Sequence, residues 1–252
     1  MTAIHDTVSL SPIVGEGKSL TGRLASASLI GREHVRTNRN NQDGHALSSR
    51  AGVVVGVVTD GCSSQPSSEV GAQLAARFLA NWVAANPIPL ADLPLRATEA
   101  LCAWMYRTAW ALNETPATFP ELLQRYFLFT FLCAAQVRGE SVVFGLGDGG
   151  VLVDEQVIRL DAGPDNAPPY AAYRLLSDRR PEPQVHFHGR ASRVAVLTDG
   201  FDALLARDPD RVKSLFADGL WRNAFTLQRR LNVLGEAEKL SDDATLVVLE
   251  DA

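Results

Sequence analysis

The chain reads as an α+β protein built on antiparallel sheets, and three observations lead there. Short apolar runs of strand length lie towards both ends of the sequence and enclose two consecutive helical patterns. Neighbouring runs are joined by tight turns such as Arg138-Gly139-Glu140 and Asp154-Glu155, the connection of an antiparallel hairpin. Strands and helices do not alternate in the βαβ rhythm of a doubly wound fold, and no self-similarity of solenoid length recurs.

Residues 1–19 lack periodicity and form a loose N-terminal segment ahead of one domain over 20–252. Leu20 to Ile30 alternates small and apolar residues, a first strand. Gly31 to Asn41 is polar, with Asn38, Asn40 and Asn41, and reads as a loop. His45–Leu47 and Gly52–Val58 bracket Ser48-Ser49-Arg50-Ala51 as a hairpin. The second of these runs is β-branched throughout, so the spacing predicts a strand buried on both faces that stops at Thr59-Asp60-Gly61. Ser67 or Ser68 then caps a helix with apolar positions Val70, Leu74, Phe78, Leu79, Trp82 and Val83. A second helix follows Pro94 with Leu95, Leu101, Trp104, Met105, Thr108 and Leu112. Tyr126–Val137 and Ser141–Leu146 are strands, the latter running into Gly147-Asp148-Gly149-Gly150. Val151–Val153 and Gln156–Leu160 pair next, and 161–184, rich in Pro, Asp and Arg, is an irregular surface excursion. Arg193–Leu197 leads into Thr198-Asp199-Gly200, helical periodicity fills Asp210 to Leu234, and Leu246–Leu249 is a last buried strand after Ser241-Asp-Asp-Ala-Thr245.

Composition narrows the chemistry. Of 252 residues, 46% are hydrophobic and 21% charged, and the net charge is −5, which leaves no footprint for nucleic acid or anionic lipid. Cys62, Cys102 and Cys133 form no CxxC pair, so a reducing, cytoplasmic setting is expected in place of a disulfide framework or zinc knuckle. The strongest apolar stretch, Phe127 to Val137, is too short for a membrane helix of roughly 20 residues.

Asp-Gly after an apolar strand is on its own a common turn. Here Asp60, Asp148 and Asp199 each end a buried run, and Asp242-Asp243 opens another. Carboxylates gathered from core-strand ends repel one another unless cations neutralise them, and hard oxygen ligands suit Mg²⁺ or Mn²⁺. Two such ions can activate a water and stabilise a phosphoryl transition state.

The ordered set Gly31-x-x-His34, Asn41-Gln42-Asp43, Val58-Thr-Asp60-Gly61, Ser68-Glu-Val-Gly71-Ala72, Gly145-x-Gly147-Asp148, Leu197-Thr-Asp199-Gly200 and Asp242-Asp-Ala-Thr245 resembles the type 2C, metal-dependent protein phosphatase family, in its bacterial branch. Each motif is short; their order over residues 24–250 carries the resemblance. It implies a four-layer αββα sandwich of two antiparallel sheets flanked by helices, with a binuclear Mn²⁺ or Mg²⁺ centre at one edge. It implies a phosphoprotein serine/threonine phosphatase working by a metal-activated water on a phosphorylated protein substrate, opposite a cognate kinase, without nucleic-acid or membrane partners. By the same resemblance Asp60 bridges both ions, the Gly61 carbonyl binds one, Asp199 and Asp242 complete the first ion, and Asp43 acts through metal-bound water. Asp60 and Asp43 are thus the catalytic carboxylates, and Asp148 matches a ligand of a third metal.

The departures fall on the substrate side. Where many members have a phosphate-binding Arg, Asn38 stands, leaving His34, Arg36 and Arg39 as candidates. After Asp60-Gly61 the chain has Cys62-Ser63-Ser64, so a family general-acid His is missing and water or His34 remains. Ala203 occupies the position of a further third-metal acid, with Asp202 one residue short. These departures support an alternative, a catalytically weak or inactive module that keeps the fold to bind a partner or sense a ligand. Other signals carry less. Gly145-Leu-Gly-Asp-Gly-Gly150 lacks the Lys-Ser/Thr of a phosphate loop. His186 and His188 read as ordinary strand residues and Cys62 as a small loop filler. Trp82, Trp104, Trp110 and Trp221 read as packing residues.

Overall fold

The β-branched run at Val53 lies inside one of two five-stranded sheets. A computed structural model describes residues 23–112, 115–163 and 168–251, so the N-terminal segment expected over 1–19 lies outside the described residues. One sheet holds β2 (Asp43–Arg50), β3 (Val53–Gly61), β4 (Phe129–Val137), β5 (Glu140–Leu146) and β8 (Gln184–Arg190), adjacent in that order. The other runs β1 (Arg23–Leu29), β10 (Ala244–Glu250), β9 (Arg193–Leu197), β6 (Gly149–Val153) and β7 (Gln156–Leu160). All pairings in both sheets are antiparallel. The β2–β3 hairpin turns at Ala51-Gly52, with φ of 51° and 82°, the positive pair that matches strand twist in a two-residue turn.

β3 is buried on both faces because a layer covers each of them. Val54 and Val58 pack between the sheets with Val247 and Leu249. Val55 and Val57 pack on the other side, against helices α2 (Ser68–Ala85) and α3 (Leu93–Leu112). The second sheet is covered by α8 (Ala224–Glu238) together with the short helices α6 (Asp202–Arg207) and α7 (Pro209–Lys213). Helix, sheet, sheet and helix therefore stack in four layers, as the family resemblance implies.

Several expectations change in detail. The polar stretch 31–41 is not all loop: it contains helix α1 (Arg32–Thr37), closed by Asn38 in the left-handed region at φ 54°. No apolar stripe announces α1, because tertiary bonds satisfy its first turn: Arg32 and Glu33 N–H donate to the carbonyls of Leu240 and Ser241, at 3.1 and 3.0 Å. Tyr126 and Phe127 end a helix, α4 (Phe119–Phe127), and the strand expected from Tyr126 begins only at Phe129. In 161–184 a short helix, α5 (Tyr173–Leu176), is present, and residues 164–167 lie outside the described ones.

The apolar face of α2 also differs. Val70 and Leu74 are exposed, while Gly71, Ala72, Ala75, Ala76, Leu79 and Val83 face the interior. Small residues let α2 approach its neighbours closely, which turns its larger side chains outward. Trp82 and Trp104 are half-buried, and Trp110 is exposed, stacked on Phe119 at 5.0 Å; Trp221 alone of the four is fully buried. A Cβ on Gly71 would lie 1.7 Å from the Tyr126 carbonyl oxygen. Gly71→Val should therefore cost about 1–3 kcal/mol or more, read as a lower denaturant midpoint. An unchanged midpoint would contradict the close packing of α2 on α4.

Candidate metal centre

Strand register alone brings two carboxylates together. Asp43 and Asp60 are direct cross-strand partners on β2 and β3. Asp60 alternates with Val54 and Val58, so both acids face the space between the sheets. Like charges in this position repel. The opposite sheet adds its own acids at the same edge: Asp199 follows the end of β9, and Asp242 precedes β10, its antiparallel neighbour. Asp148 sits where the chain crosses from β5 to β6, between Gly147 (φ 115°) and Gly149 (φ 118°).

The convergence shows in how the acids titrate. Burial, and then the charges of Asp43, Asp199, Asp242 and Asp148, raise the Asp60 carboxyl well above its usual range. Burial raises Asp43 strongly, with Asp243 and Asp199 adding to it, while hydrogen bonds from Thr245 and Thr198 pull the other way. Asp199 is pushed up to about 7 by burial and by Asp148, Asp242, Asp202 and Asp243. Burial and the Asp161 and Asp242 charges raise Asp148. Asp202, one residue short of the expected spacing, still senses Asp148 and reaches about 6, chiefly through burial, and its Oδ1 is buried without a hydrogen-bond partner. Sequence spacing alone gave no sign of Asp161 beside it.

Polar side chains hold Asp43 across the sheet interface. Thr198 Oγ1 donates to Asp43 Oδ2 at 2.8 Å and accepts from the Thr245 N–H at 2.9 Å. Asp43 Oδ1 is buried with no hydrogen-bond partner. A buried acceptor lacking a donor, among all-oxygen ligands of one sign, fits a hard divalent cation or its bound water.

Asp243, ranked behind Asp242 in sequence, is a buried latch. Its Oδ1 accepts the Gly31 N–H at 2.7 Å; its Oδ2 accepts the Gln42 N–H at 2.6 Å and lies 2.8 Å from His34 Nδ1. A Cβ on Gly31 would sit 2.3 Å from the Asp242 carbonyl carbon, so only glycine lets α1 dock here. The Gly31-x-x-His34 spacing is one helical turn, placing the His under the same carboxylate. His34, Asp242 and Asp243 are the one group of three metal-ligating side chains whose ligand atoms lie mutually within 4.8 Å among the described residues. His34 and Asp243 are already bonded to each other, so the group acts as a brace beside Asp242; Asp60, Asp199 and Asp242 do not all close to that distance.

The remaining candidates are placed as follows. Gly61 is buried against Ser68, whose Oγ donates to the Cys62 carbonyl at 3.0 Å and accepts from Gln42 Nε2 at 2.9 Å. Arg36 is exposed and paired with Glu33, and Arg39 is exposed with no side-chain hydrogen bond or ion pair among the described residues. The Cys62 thiol is 3.1 Å from Ser64 Oγ. Tyr170, from the 161–184 excursion, was not anticipated: burial, contact with Cys62 and the Asp60 charge keep its phenol protonated. The glycine-rich run leads into β6, and His188 on β8 pairs with Glu140 on β5, apart from this cluster.

A family model described as protein phosphatase 2C matches residues 30–234. No curated protein sequence matches the chain. Among solved structures, the S. agalactiae serine/threonine phosphatase is 13% identical with a TM-score of 0.67, covering 92% of this chain and 100% of that one. Serine/threonine phosphatase Stp1 from Staphylococcus aureus is 14% identical, with a TM-score of 0.62 and coverage of 94% and 99%. The catalytic domain of the protein phosphatase PstP, in complex with two manganese ions, is 17% identical, with a TM-score of 0.54 and coverage of 91% and 99%.

Two outcomes test the site. A carboxyl raised in the folded state above its ordinary 3.8 keeps its proton more tightly there, so its contribution is lost as pH rises towards about 7, the Asp199 value. In EDTA, thermal stability should therefore fall between about pH 4 and about pH 7, and Mn²⁺ should flatten the fall; a rise over that window in EDTA would contradict the clustering. Asp243→Ala strands buried donors on Gly31, Gln42 and His34, and should cost about 3–5 kcal/mol in denaturant unfolding. A cost below about 1 kcal/mol would remove the latch.

Proposed function

Since the chain belongs to the protein phosphatase 2C family, the metal-dependent serine/threonine protein phosphatases, we propose that Asp60, the Gly61 carbonyl, Asp199 and Asp242 hold two divalent cations, with Asp43 reaching them through water and Asp148 holding a third. The observation that carries this reading is the convergence on one edge of Asp43 and Asp60, paired in register on one sheet, with Asp199 and Asp242 at adjacent strand ends of the other. The manganese pair in the PstP structure favours Mn²⁺, with Mg²⁺ as the other ion of suitable hardness. When bound, such a pair supplies an activated water and neutralises the charge of the phosphate.

The chain's own groups do the rest. Asp43, fixed through Oδ2 by Thr198, presents Oδ1 to orient the attacking water. Asp60 and Asp199, raised by burial and then by the neighbouring carboxylates, are acids that added positive charge relieves. His34 and Arg36 are engaged with Asp243 and Glu33, so Arg39, free of ion pairs among the described residues, is our choice for the substrate phosphate. Tyr170, from the 161–184 excursion, adds a neutral hydroxyl beside Cys62. Residues 20–252 act as one catalytic domain on phosphoproteins, opposite a kinase that installs the phosphate. Three free cysteines suit a reducing cytoplasm, and no described helix is long and apolar enough to cross a membrane. Nothing in the site favours the non-catalytic module.

Purified protein should hydrolyse p-nitrophenyl phosphate with Mn²⁺ and lose that activity in EDTA. Asp60→Asn should lower kcat/KM by about 100-fold or more while the fold persists by circular dichroism. Turnover indifferent to both chelation and Asp60→Asn would sink the assignment.

A further inference from the structure

Away from the metal centre, the helix layer over the second sheet contains a concavity of about 440 Å³ between α7 and α8. Its floor is apolar, with Leu215 and Leu234 both buried, and Val233 stands at the side, 63% exposed. Arginines rim it. Arg211 is held by Glu238, with Nε to Oε1 at 2.9 Å, and Arg230 is held by both oxygens of Asp218 and by the Leu215 carbonyl. Arg229 has no side-chain hydrogen bond or ion pair among the described residues. Arg207, outside the lining, shares Glu238 with Arg211, so the three arginines of the rim stand against two carboxylates. In a chain of net charge −5 this local excess of positive charge runs against the whole. One turn before Arg229 on the same helix, Phe225 is 88% exposed.

An apolar floor of this size takes one large side chain, and an arginine rim selects carboxylates on either side of it. The two paired arginines are pre-oriented by their partners and keep further N–H donors for a ligand. Both walls also lead to the metal centre: α8 ends at Glu238, shortly before Asp242, and Asp199 opens the segment that runs through α6 into α7. We propose that this groove docks an acidic peptide segment with an apolar anchor residue, carried by the phosphoprotein substrate apart from its phosphorylated site. The word substrate rests on the phosphatase reading; the groove and its occupant's chemistry do not.

The probe is a fluorescein-labelled peptide with a central Leu-Phe pair flanked by glutamates. Its anisotropy should rise saturably with wild-type protein, about tenfold more weakly for Arg229→Glu and for Val233→Asp, and more weakly again when lysines replace the glutamates. Both substitutions are on exposed positions and should leave thermal stability and p-nitrophenyl phosphate turnover unchanged. A phosphopeptide extended by the same acidic segment should show a lower KM than its lysine counterpart, and the two variants should erase the difference. Absence of saturable binding, or binding indifferent to both variants, overturns the proposal. So does an Arg229→Glu effect confined to anionic vesicle binding or to self-association measured by light scattering, which would assign the face to a lipid surface or a second copy. Loss of p-nitrophenyl phosphate turnover in the wild type would strike the phosphatase reading and leave the anisotropy result standing.

Discussion

Mutual repulsion among buried acids is the constraint around which this molecule is organised. Asp43, Asp60, Asp148 and Asp199 lie where burial alone penalises their charge, and each makes its neighbours harder to ionise. A polypeptide holds such a group together only if the backbone leaves it no alternative. Here the strand ladders supply that compulsion: cross-strand register fixes Asp43 against Asp60, and adjacency of β9 and β10 fixes Asp199 near Asp242. The well-packed sheets therefore sustain an arrangement that its own electrostatics opposes, as functional sites commonly require.

The short motifs have individual physical reasons. Gly31 is small because Asp242 passes against it, and His34 follows one turn later to meet Asp243. Ser68 bonds the Cys62 carbonyl and Gln42, tying the start of α2 to the loop after β3 and to the start of β2. Gly71 is small because α4 crosses it. Residues distant in sequence are thus required jointly, which is why motifs that are weak singly become informative in order.

Much of this was legible in the chain. β-branched runs located the core strands, and strand-end placement singled out Asp60, Asp148, Asp199 and the pair Asp242-Asp243, of which the family resemblance chose Asp242. What was not legible depended on tertiary contact. Helix α1 has no apolar stripe because carbonyls of Leu240 and Ser241 satisfy its first turn. The face of α2 was misjudged because hydrophobic periodicity weights large side chains, whereas the close approach selects small ones. Asp243 and Tyr170 carry no local signal, since their partners lie far away in sequence.

The carboxylates of the centre come from both sheets, and the Thr198–Asp43 bond is a non-covalent tie between them. Neither sheet by itself gathers the whole acidic cluster. Any opening that separates the layers disperses the acidic cluster before the secondary structure of either is lost, so under the proposed assignment catalytic competence belongs to the same cooperative unit as the inter-sheet core. For such a protein, partial unfolding is equivalent to an off state.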